Sequence, residues 1–169
     1  MSAKRICRDA LMTAAALLMF MIENLFPPLL AFAPGAKIGL SNVVTLITLI
    51  LIGVPDAFIV LVARCVIGSL VTGNPFAVVY SLPAGLISLG LQTALYMTVF
   101  PRISLMAISL FGAIAHNIAQ LAVATFIAGV NMFMLLPLML AASVIAGLAV
   151  GFIAWLAVRL LPKSAYSGA

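Results

Sequence analysis

Charged and amide side chains are few in this chain, and those inside its apolar runs suit the binding of a solute. Arg64 lies near the middle of the run from Asp56 to Thr72. A charge at such depth is costly and arginine keeps its proton, so Arg64 must meet an anion. Glu23 is the only acidic residue inside a predicted span. Two interpretations stay open: a structural Glu23–Arg64 ion pair, or an Arg64 that binds the anionic group of a solute while Glu23 orients it.

Polar residues also share one face in each of two later segments. His116 and Gln120 are four residues apart and therefore lie on one face of a helix, with Asn117 beside them. A lone buried histidine often only packs, but this grouping of imidazole and amide groups favours a polar lining. The preceding helix has a stripe that either lines a solute site or joins neighbouring helices. It consists of Ser81, Gly85, Ser88 and Gln92.

The connection between the first two apolar runs is punctuated by proline and glycine, with a Pro34-Gly35 turn near its middle. Lys37 either rests at the interface with its stem on apolar surface, or joins Asn42 in closing the mouth over a solute. We predict one solute site made of side chains from this connection and from three helices. Its residues are Glu23, Lys37, Asn42, Arg64, His116, Asn117 and Gln120.

Catalysis by this chain alone is not expected. Prenyl diphosphate condensation needs Mg²⁺ held by clustered carboxylates, and we expect the only acids, Asp9, Glu23 and Asp56, to lie far apart in sequence and in membrane depth. The chain also lacks a nucleotide-binding loop with a Lys-Ser/Thr end. Two cysteines, Cys7 and Cys65, without partnering ligands make no zinc site. We therefore expect neither a metal nor a cofactor.

Composition predicts an all-α integral membrane protein. The chain is 66% hydrophobic and 7% charged, which is too apolar for a soluble domain of its 169 residues. Apolar runs of about 20 residues are long enough to cross a bilayer. We predict a basic N-terminus at 1–9, one transmembrane domain at 10–161 and a short tail at 162–169. Six spans are expected, at about 10–30, 39–53, 56–72, 76–99, 103–128 and 132–160.

The distribution of basic residues predicts the orientation. Six of them lie at the ends that would face the cytoplasm if the N-terminus is inside, whereas Lys37 alone falls in an outer loop. Both termini are therefore expected in the cytoplasm of a multi-pass cell-membrane protein. The net charge of +5 reflects this topology, and we expect no nucleic-acid partner. Small residues such as Ser143, Gly147 and Gly151 recur every fourth position and permit close helix packing, most simply inside the bundle.

Several motifs resemble those of the Gx transporter family, which is also labelled heptaprenyl diphosphate synthase component I. The resemblance covers roughly residues 10–160. Its motifs are Glu23…Pro27, Gly35-x-Lys37-x-Gly39-Leu40-x-Asn42, Arg64, Gly73, Ser81…Gly85 and His116-Asn117-x-x-Gln120. That family in turn resembles the substrate-binding S components of energy-coupling factor transporters, which are small six-helix membrane proteins.

The resemblance to S components implies a solute bound in the outer half and capped by the connection between the first two helices. It implies that the chain has no ATPase of its own. Ala10 and Ala14, spaced as Ala-x-x-x-Ala, would dock on a shared transmembrane subunit driven by two cytoplasmic ATPases. The expected function is thus uptake of a small anionic solute, such as a vitamin or cofactor precursor.

Two other functions fit the sequence. A non-catalytic membrane subunit could bind an isoprenoid or quinone precursor for a polyprenyl diphosphate synthase, because an apolar cavity with a cationic end also suits a lipid diphosphate. A structural subunit of a membrane redox complex would bind no small molecule, and its Arg64 would be neutralised by Glu23 or by a partner chain. The first alternative predicts a synthase as partner, and the uptake function predicts ATPase-linked subunits.

Overall fold

The structure, a computed structural model, describes residues 3–25 and 39–160, and in these ranges it is helical. The prediction for Lys37, the Pro34-Gly35 turn and the tail at 162–169 lie outside the described residues. The helices are α1 (Ala3–Leu25), α2 (Leu40–Leu51), α3 (Val54–Val71), α4 (Ala77–Thr98), α5 (Leu105–Ala128) and α6 (Leu136–Leu160), with a 3₁₀ helix at Met132–Leu135 before α6.

Glycine and capping residues set several of these boundaries. Gly39 precedes α2 with φ of 76°, a left-handed conformation that costs glycine little. Ser104 caps α5 by accepting a hydrogen bond from the backbone N–H of Ala107 at 3.1 Å. Gly129, also left-handed, ends α5 at the predicted position. The predicted bounds of the later helices are therefore correct to within a few residues.

The first helix differs from its prediction. Residues 3–9 are the first turns of α1 rather than a separate basic segment. The segment contains neither glycine nor proline, so the helix begins before the apolar run. At its other end the described part of α1 reaches Leu25, and the remainder of the predicted span, 26–30, lies outside the described residues.

Four of the described segments are long and apolar enough to cross a membrane: Val54–Val71, Ala77–Thr98, Leu105–Ala128 and Met132–Leu160. Many large apolar side chains point outward, including Phe126 and Ile145. An exposed apolar surface of this extent is typical of a protein that faces lipid. These four segments and the helical structure confirm the prediction of an all-helical bundle suited to a membrane.

Helix α2 is short and lies inside the bundle, where it contacts α1, α3, α4 and α6. Its 12 residues span about 18 Å, less than the roughly 30 Å of a hydrocarbon core. The hydroxyls of its buried threonines donate hydrogen bonds to backbone carbonyls of the same helix, as Thr48 does to the carbonyl of Val44 at 2.7 Å. Because α2 begins deep in the bundle, its N-terminal residues are available to line an internal site.

Helices α5 and α6 pack at very close range, with glycine at the points of contact. A Cβ atom added at Gly147 would lie 2.7 Å from the Cα of Leu110, and one at Gly151 would lie 2.6 Å from the Cα of Met106. Only glycine permits such an approach. The expected internal role of the Ser143, Gly147 and Gly151 face is therefore confirmed for its two glycines.

Most of the polar stripe on α4 contacts neighbouring helices, and only one of its members borders a cavity. Ser88 donates to the carbonyl of Gly112 on α5 at 2.8 Å. The side chain of Gln92 occupies the space beside Gly112, and Gly85 lies against Leu61. Among the members of the stripe, Ser81 alone borders the cavity described below.

Salt bridges join the first turns of α1 to the start of α3. Arg5 donates to both carboxylate oxygens of Asp56, from Nε at 2.8 Å and from Nη2 at 3.0 Å, and Arg8 donates from Nη2 at 3.1 Å. Asp9 is buried next to this group and interacts electrostatically with Asp56. The expectation that the acids lie far apart in space is thus wrong for Asp9 and Asp56, because the fold brings residues about fifty positions apart together.

Candidate functional site

A cavity of about 430 Å³ lies in the half of the bundle farther from the N-terminus of α1. It is bordered by the C-terminal ends of α1 and α3, the N-terminal ends of α2 and α4, and the C-terminal half of α5. Pockets that enclose small ligands usually measure about 300–1,000 Å³. The cavity therefore has the volume of a small-molecule site.

Arg64 supplies the positive charge of the cavity wall. Its side chain is 9% exposed, and α3 carries it to a point facing the start of α2. There Nη1 donates to the hydroxyl of Ser41, and Nη2 donates to Oδ1 of Asn42 at 2.7 Å. Both acceptors are neutral, so these bonds orient the guanidinium without cancelling its charge.

Glu23 borders the same cavity from α1. Its Oε1 accepts a hydrogen bond from the backbone N–H of Gly39, immediately before α2. A carboxylate is favoured at this position because the first N–H groups of a helix have no partner within the helix. Glu23 and Arg64 also interact electrostatically. The structure therefore brings both predicted charged residues to one wall.

The polar residues predicted on α5 border the cavity as well, but their contacts differ. Asn117 donates from Nδ2 to the carbonyl of Met139 at 3.1 Å and to the hydroxyl of Ser143 at 2.7 Å, so its amide N–H groups tie α5 to α6. His116 makes a hydrogen bond with the backbone of Ala84 on α4. Nδ1 of His116 and Oε1 of Gln120 are buried without a hydrogen-bond partner.

The cavity wall has further members that the sequence did not single out. They include Phe20 on α1, Cys65 and Ser69 on α3, Asn74 just before α4, and Ala77 and Tyr80 at the start of α4. Phe20 and Tyr80 add aromatic surface, and Cys65 adds a free thiol. No periodicity marks these residues, since they meet only through the packing of α1, α3 and α4.

Ala10 and Ala14, predicted to dock a partner, lie on an exposed face of α1 with Leu11 and Leu18. No described helix covers this face, and the buried residues of α1, among them Thr13 and Ala16, lie on another face. Docking itself stays a prediction.

One comparison with known proteins gives a result. A family model described as heptaprenyl diphosphate synthase component I matches residues 12–156. No curated protein and no solved structure matches the chain.

Proposed function

The chain belongs to the heptaprenyl diphosphate synthase component I family, and from its cavity we propose that it is a membrane-embedded substrate-binding subunit, similar to an S component, for uptake of a small anionic solute. The solute would be a vitamin or a cofactor precursor. It enters the cavity, is enclosed by the segment 34–42, and leaves on the other side as the subunit reorients against a partner. Binding and reorientation need no catalytic group of the chain itself.

The observation that carries the proposal is the buried Arg64 at the cavity wall, held by two neutral oxygens. A buried charge is retained against a large desolvation cost only where it has a partner or a function. An anionic solute group would supply an opposite charge within reach of a guanidinium that is already oriented. Such preorganisation reduces the entropy lost on binding.

The arrangement of basic residues supports an orientation with the cavity toward the outside. Lys4, Arg5 and Arg8 belong to the start of α1, and Arg102 and Arg159 lie at helix ends on the same side of the bundle. Basic residues favour the cytoplasmic side. We therefore propose cytoplasmic termini, a multi-pass location in the bacterial cell membrane, and a cavity that opens outward.

The description of the family favours a second candidate, a non-catalytic subunit that presents an isoprenoid or quinone precursor to a polyprenyl diphosphate synthase. The cavity of about 430 Å³ lies at the lower end of the range of pockets that enclose small ligands, about 300–1,000 Å³. This size favours a compact solute over a long prenyl chain.

The partner distinguishes the two candidates. The tagged chain is cross-linked in bacterial membranes and purified in mild detergent, and the proteins that accompany it are identified by mass spectrometry. Uptake predicts a transmembrane subunit and ATPases, whereas presentation predicts a soluble prenyl synthase. Recovery of the synthase without ATPases would refute the uptake function.

A variant pair makes this experiment specific. Ala14→Trp introduces bulk on the proposed docking face of α1, and Ile145→Trp introduces the same bulk on an exposed part of α6. The uptake function predicts that Ala14→Trp alone loses the ATPase-linked subunits. Equal recovery with both variants would show that α1 is not the docking face.

A further inference from the structure

Two acceptor atoms on α5 lie buried without a partner, both on residues that border the cavity. They are Nδ1 of His116 and Oε1 of Gln120. The two residues are one turn apart on the same face of the helix. A buried polar atom without a hydrogen bond costs about 1–3 kcal/mol, so most such atoms in proteins are paired. This part of the wall is therefore suited to a hydrogen-bonding ligand group.

The chemistry of the two residues defines what that group must offer. The amide oxygen of Gln120 can only accept a hydrogen bond. In a neutral imidazole one nitrogen donates and the other accepts, and the bond of one nitrogen fixes the role of the other. His116 is hydrogen-bonded to the backbone of Ala84, and Nδ1 is the ring nitrogen without a partner. The N–H that the backbone carbonyl accepts therefore belongs to Nε2, and Nδ1 remains as an acceptor. The α5 wall thus presents two acceptors.

The α3 wall has the opposite character. Arg64 offers only donors, and its Nε is buried without a hydrogen-bond partner while Nη1 and Nη2 hold α2. A ligand that satisfies both walls needs acceptors with negative charge for Arg64 and N–H donors for α5. A simple dicarboxylate or diphosphate meets only the first requirement.

We propose that the solute carries an amide or amino group, bound through its N–H donors by His116 and Gln120, in addition to the anionic group that faces Arg64. This inference rests on the proposed function and specifies the class of its substrate. The cavity of about 430 Å³ limits that substrate to a compact molecule.

Matched probes test the donor group directly. Succinamate and levulinate are both carboxylates with a carbonyl at the far end, and they differ only by NH₂ in place of CH₃. Adipamate and its methyl-ketone analogue form a longer pair. Binding of each probe to the purified full chain in nanodiscs is measured by calorimetry. In the pair that fits the cavity, we expect the amide to bind about tenfold to a hundredfold more tightly than the methyl ketone. One or two hydrogen bonds to buried acceptors account for a difference of this size.

Gln120→Met tests whether α5 is responsible for the preference. Methionine keeps much of the volume of glutamine and removes the acceptor. The variant is expected to lose part of the preference for the amide, because Nδ1 of His116 remains as the second acceptor. Retention of the full preference would overturn the assignment to Gln120.

The outcomes separate the two proposals. Binding of both members of every pair with equal affinity, if it depends on Arg64, would refute the donor group and leave solute capture standing. Binding of no carboxylate by a folded protein would refute both.

Discussion

Replacing Arg64 with methionine should strongly weaken solute binding and leave the bundle folded. Arg64 is 9% exposed and contacts the start of α2 through Ser41 and Asn42. Methionine has a comparable apolar stem and lacks the charge. The change therefore separates the role of the guanidinium in binding from its role in packing.

The effect on stability follows from two opposing contributions. The variant loses hydrogen bonds from a charged group to Ser41 and Asn42, each of about 1.5–3 kcal/mol. It also removes a buried charge whose desolvation costs several kcal/mol. These contributions are of similar size and opposite sign, so we expect the free energy of unfolding to change by no more than about 2 kcal/mol.

The effect on binding has no such compensation. Removing one partner of a buried, hydrogen-bonded charge pair costs about 2–5 kcal/mol, which corresponds to roughly 30-fold to several thousand-fold in affinity. Arg64→Lys keeps the charge and loses the planar donor fork, so its affinity should fall between those of the methionine variant and the unchanged protein.

The assay is calorimetry with the amide probe that binds best, together with thermal unfolding of the same samples. Arg102→Met is the matched control, because Arg102 is exposed and lies at the other end of the bundle. Unchanged affinity in a folded Arg64→Met protein would refute the assignment of Arg64 to the site. An equal loss of affinity in Arg102→Met would show that the effect is not specific.

Three further predictions concern the cavity, the charged cluster and the packing. In a Cys7→Ala background, alkylation of the buried Cys65 by a maleimide should slow when a binding probe is present, and an unchanged rate would place the probe elsewhere. Burial and the neighbouring carboxylate raise the pKa of Asp9 above its ordinary 3.8. The folded protein then binds more protons than the unfolded chain, so stability falls as pH rises from about 4 through the raised pKa. Asp9→Asn should remove this fall in pH-dependent unfolding, and an unaltered slope would contradict it. Gly151→Ala should lower stability by about 1–3 kcal/mol because the added Cβ meets the backbone of α5, whereas Gly90→Ala, in open space, should raise it by up to about 1 kcal/mol. Equal effects in thermal unfolding would refute the close packing.

Much of the site could be predicted from the sequence because its residues stand out from the apolar runs that contain them. Arg64 and Glu23 are charges within apolar runs, and His116 and Gln120 repeat at a helical spacing. Each of these signals concerns a single helix, and the structure brings all four residues to one cavity. Helix bounds were predictable where glycine marks them, as Gly129 does.

What could not be predicted depends on contacts between helices. Tyr80 and Phe20 border the cavity only because α1 and α4 approach it, and neither residue differs in the sequence from one that faces lipid. Likewise, a stripe with correct helical spacing does not reveal whether it faces a cavity or another helix. Ser88 and Gln92 turn toward Gly112, where the absence of a side chain leaves room for them.

Native mass spectrometry of the gently purified chain, with identification of any co-purifying molecule, tests the solute-binding function most directly. The predicted result is a compact anion with an amide or amino group, present with the unchanged protein and with Arg102→Met and absent with Arg64→Met. A prenyl diphosphate or quinone precursor that remains bound in Arg64→Met would contradict it.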